Sequence, residues 1–199
     1  IETVKAMVLS AQVFSEMATT GLPAGYLDDL WAHCFMTAGF ARAIAKLESK
    51  DKHLIDNSFA AGIMHDVGKL ILVVNMKEQF LDYLKRLAEG GGNPLTLERE
   101  IFGTTHPEVG GYLLSLWGLS DVIVRPLVLH HAPADGNDTH FTEVTAVHAA
   151  NALSYELTGV RKSHCARIDT DHLALMKIAS HVDGWRQACK EFIREEDAK

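Results

Sequence analysis

Ala61-Gly62-Ile63-Met64-His65-Asp66-Val67-Gly68-Lys69-Leu70 is the stretch on which the reading of this chain turns. It sets an imidazole, a carboxylate and a lysine among residues that are otherwise apolar and suited to a helix. Burying an unpaired charge there would cost on the order of several kcal/mol, so the His-Asp pair needs a partner. A bound cation meets that need, and so does a hydrogen-bonded pair within the core. Gly62 and Gly68 weaken the helix by up to about 1 kcal/mol each, and leave backbone room beside the two polar residues. Adjacent helical positions diverge by about 100°, so His65 and Asp66 meet one ion only in the sector between them. Lys69, one turn beyond His65, either faces the same cleft or reaches along the surface into solvent.

Immediately upstream, Lys50-Asp51-Lys52-His53 is a polar link, and Asp56, Asn57 or Ser58 is placed to cap the helix that carries His65. Before it, a helix is predicted from about Tyr26 to Leu47, with Leu27, Leu30, Trp31, Cys34, Phe35, Ala38, Ala41 and Ala45 on one apolar arc. His33 lies at the edge of that arc, one turn after Asp29. At the start of the sequence Val4, Met7, Val8, Ala11 and Phe14 share a helical face that needs a partner, and Thr19, Thr20, Gly21 and Pro23 end that helix. The opening Ile1-Glu2-Thr3-Val4-Lys5 already runs at helical period, which reads as the later part of a longer protein.

Downstream, Phe80, Leu81, Leu84 and Leu87 mark an amphipathic helix from about Lys77, closed by Gly90-Gly91-Gly92-Asn93-Pro94. That glycine run lacks the spacing of a phosphate-binding loop and reads as a linker. Thr96 is placed to cap a short helix through Phe102. Thr105-His106-Pro107-Glu108 is a capping box with proline just inside the helix, so His106 is held at a helix N-terminus, where the dipole favours a neutral, metal-ligating imidazole over a charged one. Ser120-Asp121 starts a helix ending in His130-His131-Ala132-Pro133. Glu143 to Leu157 is helical, with His148 among small residues, and the remainder, about Thr170 to Glu195, is amphipathic. His53, His140, His164, His172 and His181 stand in polar or linking contexts and are read as solvated. There is no alternation of period two, so the expected architecture is all-α, a single helical domain over residues 1–199.

Bulk properties narrow the function. A chain of 199 residues buries about 70% of its unfolded surface without help from disulfides or metals. A net charge of −7 and a pI near 5.8, with no basic stripe, argue against nucleic acid as a partner. The longest aliphatic run, Leu70 to Val74, is too short to cross a bilayer. Cys34, Cys165 and Cys189 are odd in number and widely spaced, so they read as reduced thiols; no secretory signal is read, and a cytoplasmic location is expected.

Taken together, Glu2-Thr3-Val4-Lys5, Leu30-Trp31-Ala32-His33-Cys34, Met64 to Leu70, Phe102 to Gly110, Leu116-Trp117-Gly118-Leu119 and His130-His131-Ala132-Pro133 resemble the HD superfamily, and most closely its HDOD branch, the HD-related output domains of bacterial signalling proteins. The resemblance implies further helices before Ile1, often with a phosphorylation receiver domain before them. By comparison with the dinuclear HD-GYP phosphodiesterases, it implies metal ligands at His33, His65, Asp66, His106, His130 and His131, a further carboxylate at Asp29, and the motif lysine at Lys69. The late Asp of that pattern is replaced, His148 being aligned with it, and the Gly-Tyr-Pro segment is absent from Pro133 to Phe141.

Two readings follow. The first is a regulatory output domain that passes a signal to a partner protein and is not catalytic. The second is a metal-dependent phosphohydrolase acting on a nucleotide or cyclic dinucleotide, with Asp66 and Lys69 in the chemistry. The imidazole-rich ligand set suits Fe, Mn, Ni or Zn, and Asp29 with Asp66 balance one divalent ion more readily than two. Neither the partner nor the oligomeric state is read from the sequence.

Overall fold

The computed structural model describes residues 22–90, 92–158 and 167–198, and the expected first helix, His164 and Cys165 lie outside them. Ten α-helices and two 3-10 turns make up the described chain, and no strand occurs among these residues. The architecture is therefore all-α, as the periodicity requires.

Pro23 and Gly25, the latter at φ 78°, turn the chain into α1 (Tyr26–Glu48). Its inner face of Leu30, Cys34, Ala38, Ala41 and Ala45 is joined by Phe40 and Ile44, all buried. α1 packs on α2 (Lys52–Met64), whose N-terminus is capped by Asp51, its carboxylate accepting from the His53 N–H at 2.8 Å. The cap thus falls five residues before the earliest of the expected candidates, Asp56, and the helix that begins at Lys52 sets Phe59 against the core and Ile63 within it.

After a break at His65-Asp66 the chain enters α3 (Val67–Asn75), followed by α4 (Lys77–Ala88) and α5 (Pro94–Phe102). Asn93, rather than Thr96, caps α5, accepting from the N–H groups of Leu95 and Thr96, and this allows Pro94 to stand at the first helical position. The capping box at Thr105 and Glu108 opens α6 (His106–Leu116) as expected. α7 (Asp121–Leu129) follows. α8 (Glu143–Thr158) runs through the middle, buried from Val144 to Ser154 and packed on α1, α2 and α7. α9 (Thr170–Leu175) and α10 (Val182–Asp197) close the described chain, with Trp185 and Cys189 buried and α10 lying against α1.

His172 differs from its expected solvated state: it is 3% exposed, with its ring 3.5 Å from the Thr145 hydroxyl, because α9 folds back onto α8. By length and composition the stretch Lys52–Asn75 could cross a membrane, but 72% of its apolar window is buried against other helices, and it is interrupted by His65-Asp66.

Candidate metal centre

His65 and Asp66 do not sit inside a helix. α2 ends at Met64 and α3 begins at Val67, and Asp66 adopts φ −103°, ψ 10° between them. Its side chain makes no capping hydrogen bond, which leaves the carboxylate to the interior. The break removes the angular restriction expected for neighbouring helical residues, and His65 Nε2 and Asp66 Oδ2 are 3.5 Å apart. Gly68 explains how the break is held: a Cβ there would collide with the His106 carbonyl oxygen, so only glycine lets α3 meet the start of α6 this closely.

Four helices aim side chains at this break. His33 comes from α1, His106 is the first residue of α6, His130 and His131 follow the end of α7, and Asn151 projects from α8. The side chains of His33, His65, Asp66, His106 and His130 are 9, 0, 1, 2 and 0% exposed. Two groups of three form, each with ligand atoms within 4.8 Å of one another: His33, His65 and Asp66, and His106, His130 and His131. Asp66 stands between them. Its Oδ2 is 3.5 Å from His65 Nε2 and 3.8 Å from His33 Nε2, while its Oδ1 is 3.1 Å from His106 Nε2 and 3.9 Å from His130 Nε2.

Hydrogen bonds on the far side of the rings orient them. The Nδ1–H of His65 donates to the Gly62 carbonyl at 2.7 Å, that of His130 to the Leu127 carbonyl at 2.6 Å, and that of His106 to the Glu98 carboxylate at 2.8 Å. These acceptors place a proton on Nδ1 and, in His65 and His130, turn a lone pair on Nε2 inward. His106 Nε2 lies 3.4 Å from His130 Nε2 and 3.3 Å from His131 Nε2. The lone pairs of His130 and His131 crowd against this cluster, and the buried Asp66 Oδ1 has the Nε2–H of a charged His106, 3.1 Å away, to meet it. Two ligands held about 2.1 Å from a tetrahedral ion stand about 3.4 Å apart, so the spacings match a coordination shell, and the donor set fits a transition metal.

Burial, and then the neighbouring imidazoles, keep most of these rings neutral. His33 is lowered to about 3 by burial and by His65. Burial lowers His65, and burial with the adjacent rings holds His130 and His131 well below the usual histidine range. His106 goes the other way: burial opposes its charge, but Glu98 overrides burial and raises it. Burial alone would raise the Asp66 carboxyl, yet Lys69, whose Nζ is 2.6 Å from Oδ2, together with His65 and His106 holds it well below the carboxylate range.

Two expected ligands fall outside the pocket. Asp29 is exposed in the first turn of α1 and belongs to neither group. His148 is buried, but both ring nitrogens are engaged with backbone, Nδ1 donating to the His130 carbonyl at 2.8 Å and Nε2 accepting from the Asp169 N–H at 2.8 Å. It ties α8 to the end of α7 and to the residue that caps α9. The α8 residue that reaches the pocket is Asn151, one turn later, with Oδ1 3.1 Å from His33 Nε2. Two further residues were not singled out from sequence: Glu98, 1% exposed, which supports His106, and Ser154, whose hydroxyl is 3.2 Å from His33 Nδ1.

A helical bundle that gathers imidazoles around an aspartate at a helix break has the phosphohydrolase-like HD architecture. The family model of the HDOD domain matches residues 1–133, and the chain belongs to the HDOD domain family. Two crystal structures share its fold. One is an HDOD domain protein of unknown function from Geobacter sulfurreducens, with a TM-score of 0.70 and 20% identity, covering 96% of this chain and 71% of that one. The other, from Shewanella amazonensis SB2B and provisionally named a phosphohydrolase, gives a TM-score of 0.68 at 18% identity and covers 96% of this chain and 68% of that one. An uncharacterized protein of Treponema pallidum (strain Nichols) is 25% identical over 130 residues, 65% of this chain. The chain spans a quarter of that protein's length.

Proposed function

We propose that this chain is a regulatory output domain of a bacterial signalling protein, holding a divalent transition metal, Fe, Mn, Ni or Zn, in a pocket that is not catalytic. The observation that carries the reading is the pairing of a nearly closed ligand cluster with a neutral side chain, Asn151, where α8 enters it. A metal there would be held by His106, His130, His131 and Asp66, and would cross-link α6, α7 and the α2–α3 break. In a hydrolase a bound ion supplies an acidified water. Here the side chains of His33, His65, Asp66, His106 and His130 are less than a tenth exposed, His131 is half-buried, and Tyr155 covers His33 with ring centroids 4.4 Å apart, leaving a phosphate ester little approach. Lys69 is engaged with Asp66, which fits a structural charge better than a group awaiting substrate.

On this reading the output is made to a partner protein, with the input coming from a receiver domain in the same polypeptide. The family membership and the bacterial sources of the similar proteins support it. Protein produced in medium supplemented with the four metals is expected to carry metal by elemental analysis and to leave cyclic dinucleotides intact. Turnover that is abolished in Asp66→Ala would instead establish the hydrolase.

A further inference from the structure

His130 and His131 are consecutive in the chain, yet both rings enter one group of candidate ligands, with centroids 4.0 Å apart. Neighbouring side chains at the end of a helix ordinarily diverge by about 100°, so the turn after Leu129 must be held in a particular way to aim both inward. The peptide that joins them is planar, and fixing its carbonyl fixes the frame from which the two side chains leave. Three carbonyls at the end of α7 have their donors in place. The Leu127 carbonyl accepts from the His130 ring, the Leu129 carbonyl from the Ala132 N–H at 2.9 Å, and the His130 carbonyl from the Nδ1–H of His148 at 2.8 Å. The last of these donors comes from another helix.

His148 is a firm support for that carbonyl. It is 4% exposed, in the buried stretch of α8, with Val147 and Ala149 buried on either side. Its Nε2 accepts from the Asp169 N–H at 2.8 Å, and a carbonyl on one side with an N–H on the other requires the neutral ring protonated on Nδ1. Asp169 in turn caps α9, its carboxylate accepting from the His172 N–H at 2.9 Å and its carbonyl from the Leu173 N–H at 3.2 Å. One buried imidazole thus joins the peptide between two candidate ligands to the first turn of a helix that belongs to neither ligand group. An apolar side chain in its place would leave the His130 carbonyl buried without a donor.

Resting on the reading of the pocket as a metal centre, we propose that His148 is a positioning residue, which holds the His130–His131 peptide so that both imidazoles reach one ion and, through Asp169, couples occupancy of the pocket to the order of α9. The coupling is reciprocal: an ion that favours the held peptide steadies the start of α9, and loosening α9 weakens the ion by the same factor.

The test uses the full chain and Zn²⁺, with affinity read by competition with a chromophoric chelator and the order of α9 by hydrogen exchange and mass spectrometry. In wild type, zinc is expected to slow exchange across α9. Folded His148→Leu is expected to bind zinc roughly 10–100-fold more weakly and to lose that response, whereas His148→Gln, whose amide keeps a donor and an acceptor, recovers both in part. Asp169→Ala, which touches no candidate ligand, is expected to weaken zinc several-fold in wild type and to have no effect in His148→Leu, the coupling being the difference between the two backgrounds. Exchange in α9 that ignores zinc, wild-type affinity in His148→Leu, or an equal effect of Asp169→Ala in both backgrounds overturns the role of His148 and leaves the metal centre standing. No zinc bound by wild type overturns the metal centre, and this inference with it. Should His148→Leu not fold, the wild-type exchange and Asp169→Ala alone decide, and unchanged zinc affinity in Asp169→Ala overturns the coupling.

Discussion

Glu98 sits in Leu97-Glu98-Arg99-Glu100, a run that reads like any charged helix face, yet its carboxylate is 1% exposed and takes both the backbone N–H and the Nδ1–H of His106. Burial alone would raise its pKa, but His106 lowers it. Such a partner fixes the ring and strengthens its donor nitrogen, so Glu98→Gln is expected to weaken metal binding by roughly 10–100-fold, read by competition with a chromophoric chelator. Glu108, ten residues on, is mostly exposed and carries a different kind of information. Its pKa is lowered to about 2, first by the Arg99 guanidinium and then by the N–H and hydroxyl groups of the capping box. A carboxylate depressed on folding stabilises above its ordinary value near 4.5 and loses that contribution as pH falls toward 2. Glu108→Gln is therefore expected to lower the urea midpoint at pH 7, with the gap from wild type closing by about pH 2. The Glu108 box is visible in sequence because its partners are three residues away, whereas Glu98 is eight residues from His106 and no local pattern joins them.

Helix existence, order and most ends follow from period and breakers, since the apolar faces of α1, α4, α6 and α8 recur at helical spacing and proline or glycine stands beside several ends. The exception is the most informative element boundary, the break at His65-Asp66. Nothing in Met64 to Leu70 stops a helix by composition alone, and the interruption comes from tertiary contact, where Gly68 lies against the start of α6. Gly68→Ala would raise local helix propensity by about 1 kcal/mol, but it would force α3 and α6 apart. We expect a net loss of roughly 1–3 kcal/mol in chemical denaturation, together with weaker metal binding, because the displaced element carries His106. A variant as stable as wild type would show that the close approach is dispensable. The same element-scale reasoning accounts for His148, since its place on α8 was correctly helical but one turn short of the pocket, and α8 turns Asn151 toward His33 instead.

Across the whole molecule the pocket joins segments that the apolar helical core already packs together, so a metal bound there would add to that packing. An ion that binds only the native state at a hundredfold excess over its dissociation constant stabilises by about 2.7 kcal/mol. For a chain of this size that is roughly 5–10 °C in Tm. Chelation is thus expected to lower Tm by about that much while leaving the helical circular dichroism at 25 °C unchanged; unfolding on chelation would instead make the metal a folding requirement. What the sequence determined by itself is the all-α architecture and the identity of the six motif side chains, because helical period and motif spacing are local properties of the chain. Which of these side chains share an oxygen, which tautomer each imidazole takes, that Asn151 and Glu98 join them, and that Asp29 and His148 do not, was decided only by the tertiary structure. Those relations depend on distances between helices far apart in the chain, and a change of one turn in how a helix faces its neighbours is enough to exchange a ligand for a structural residue.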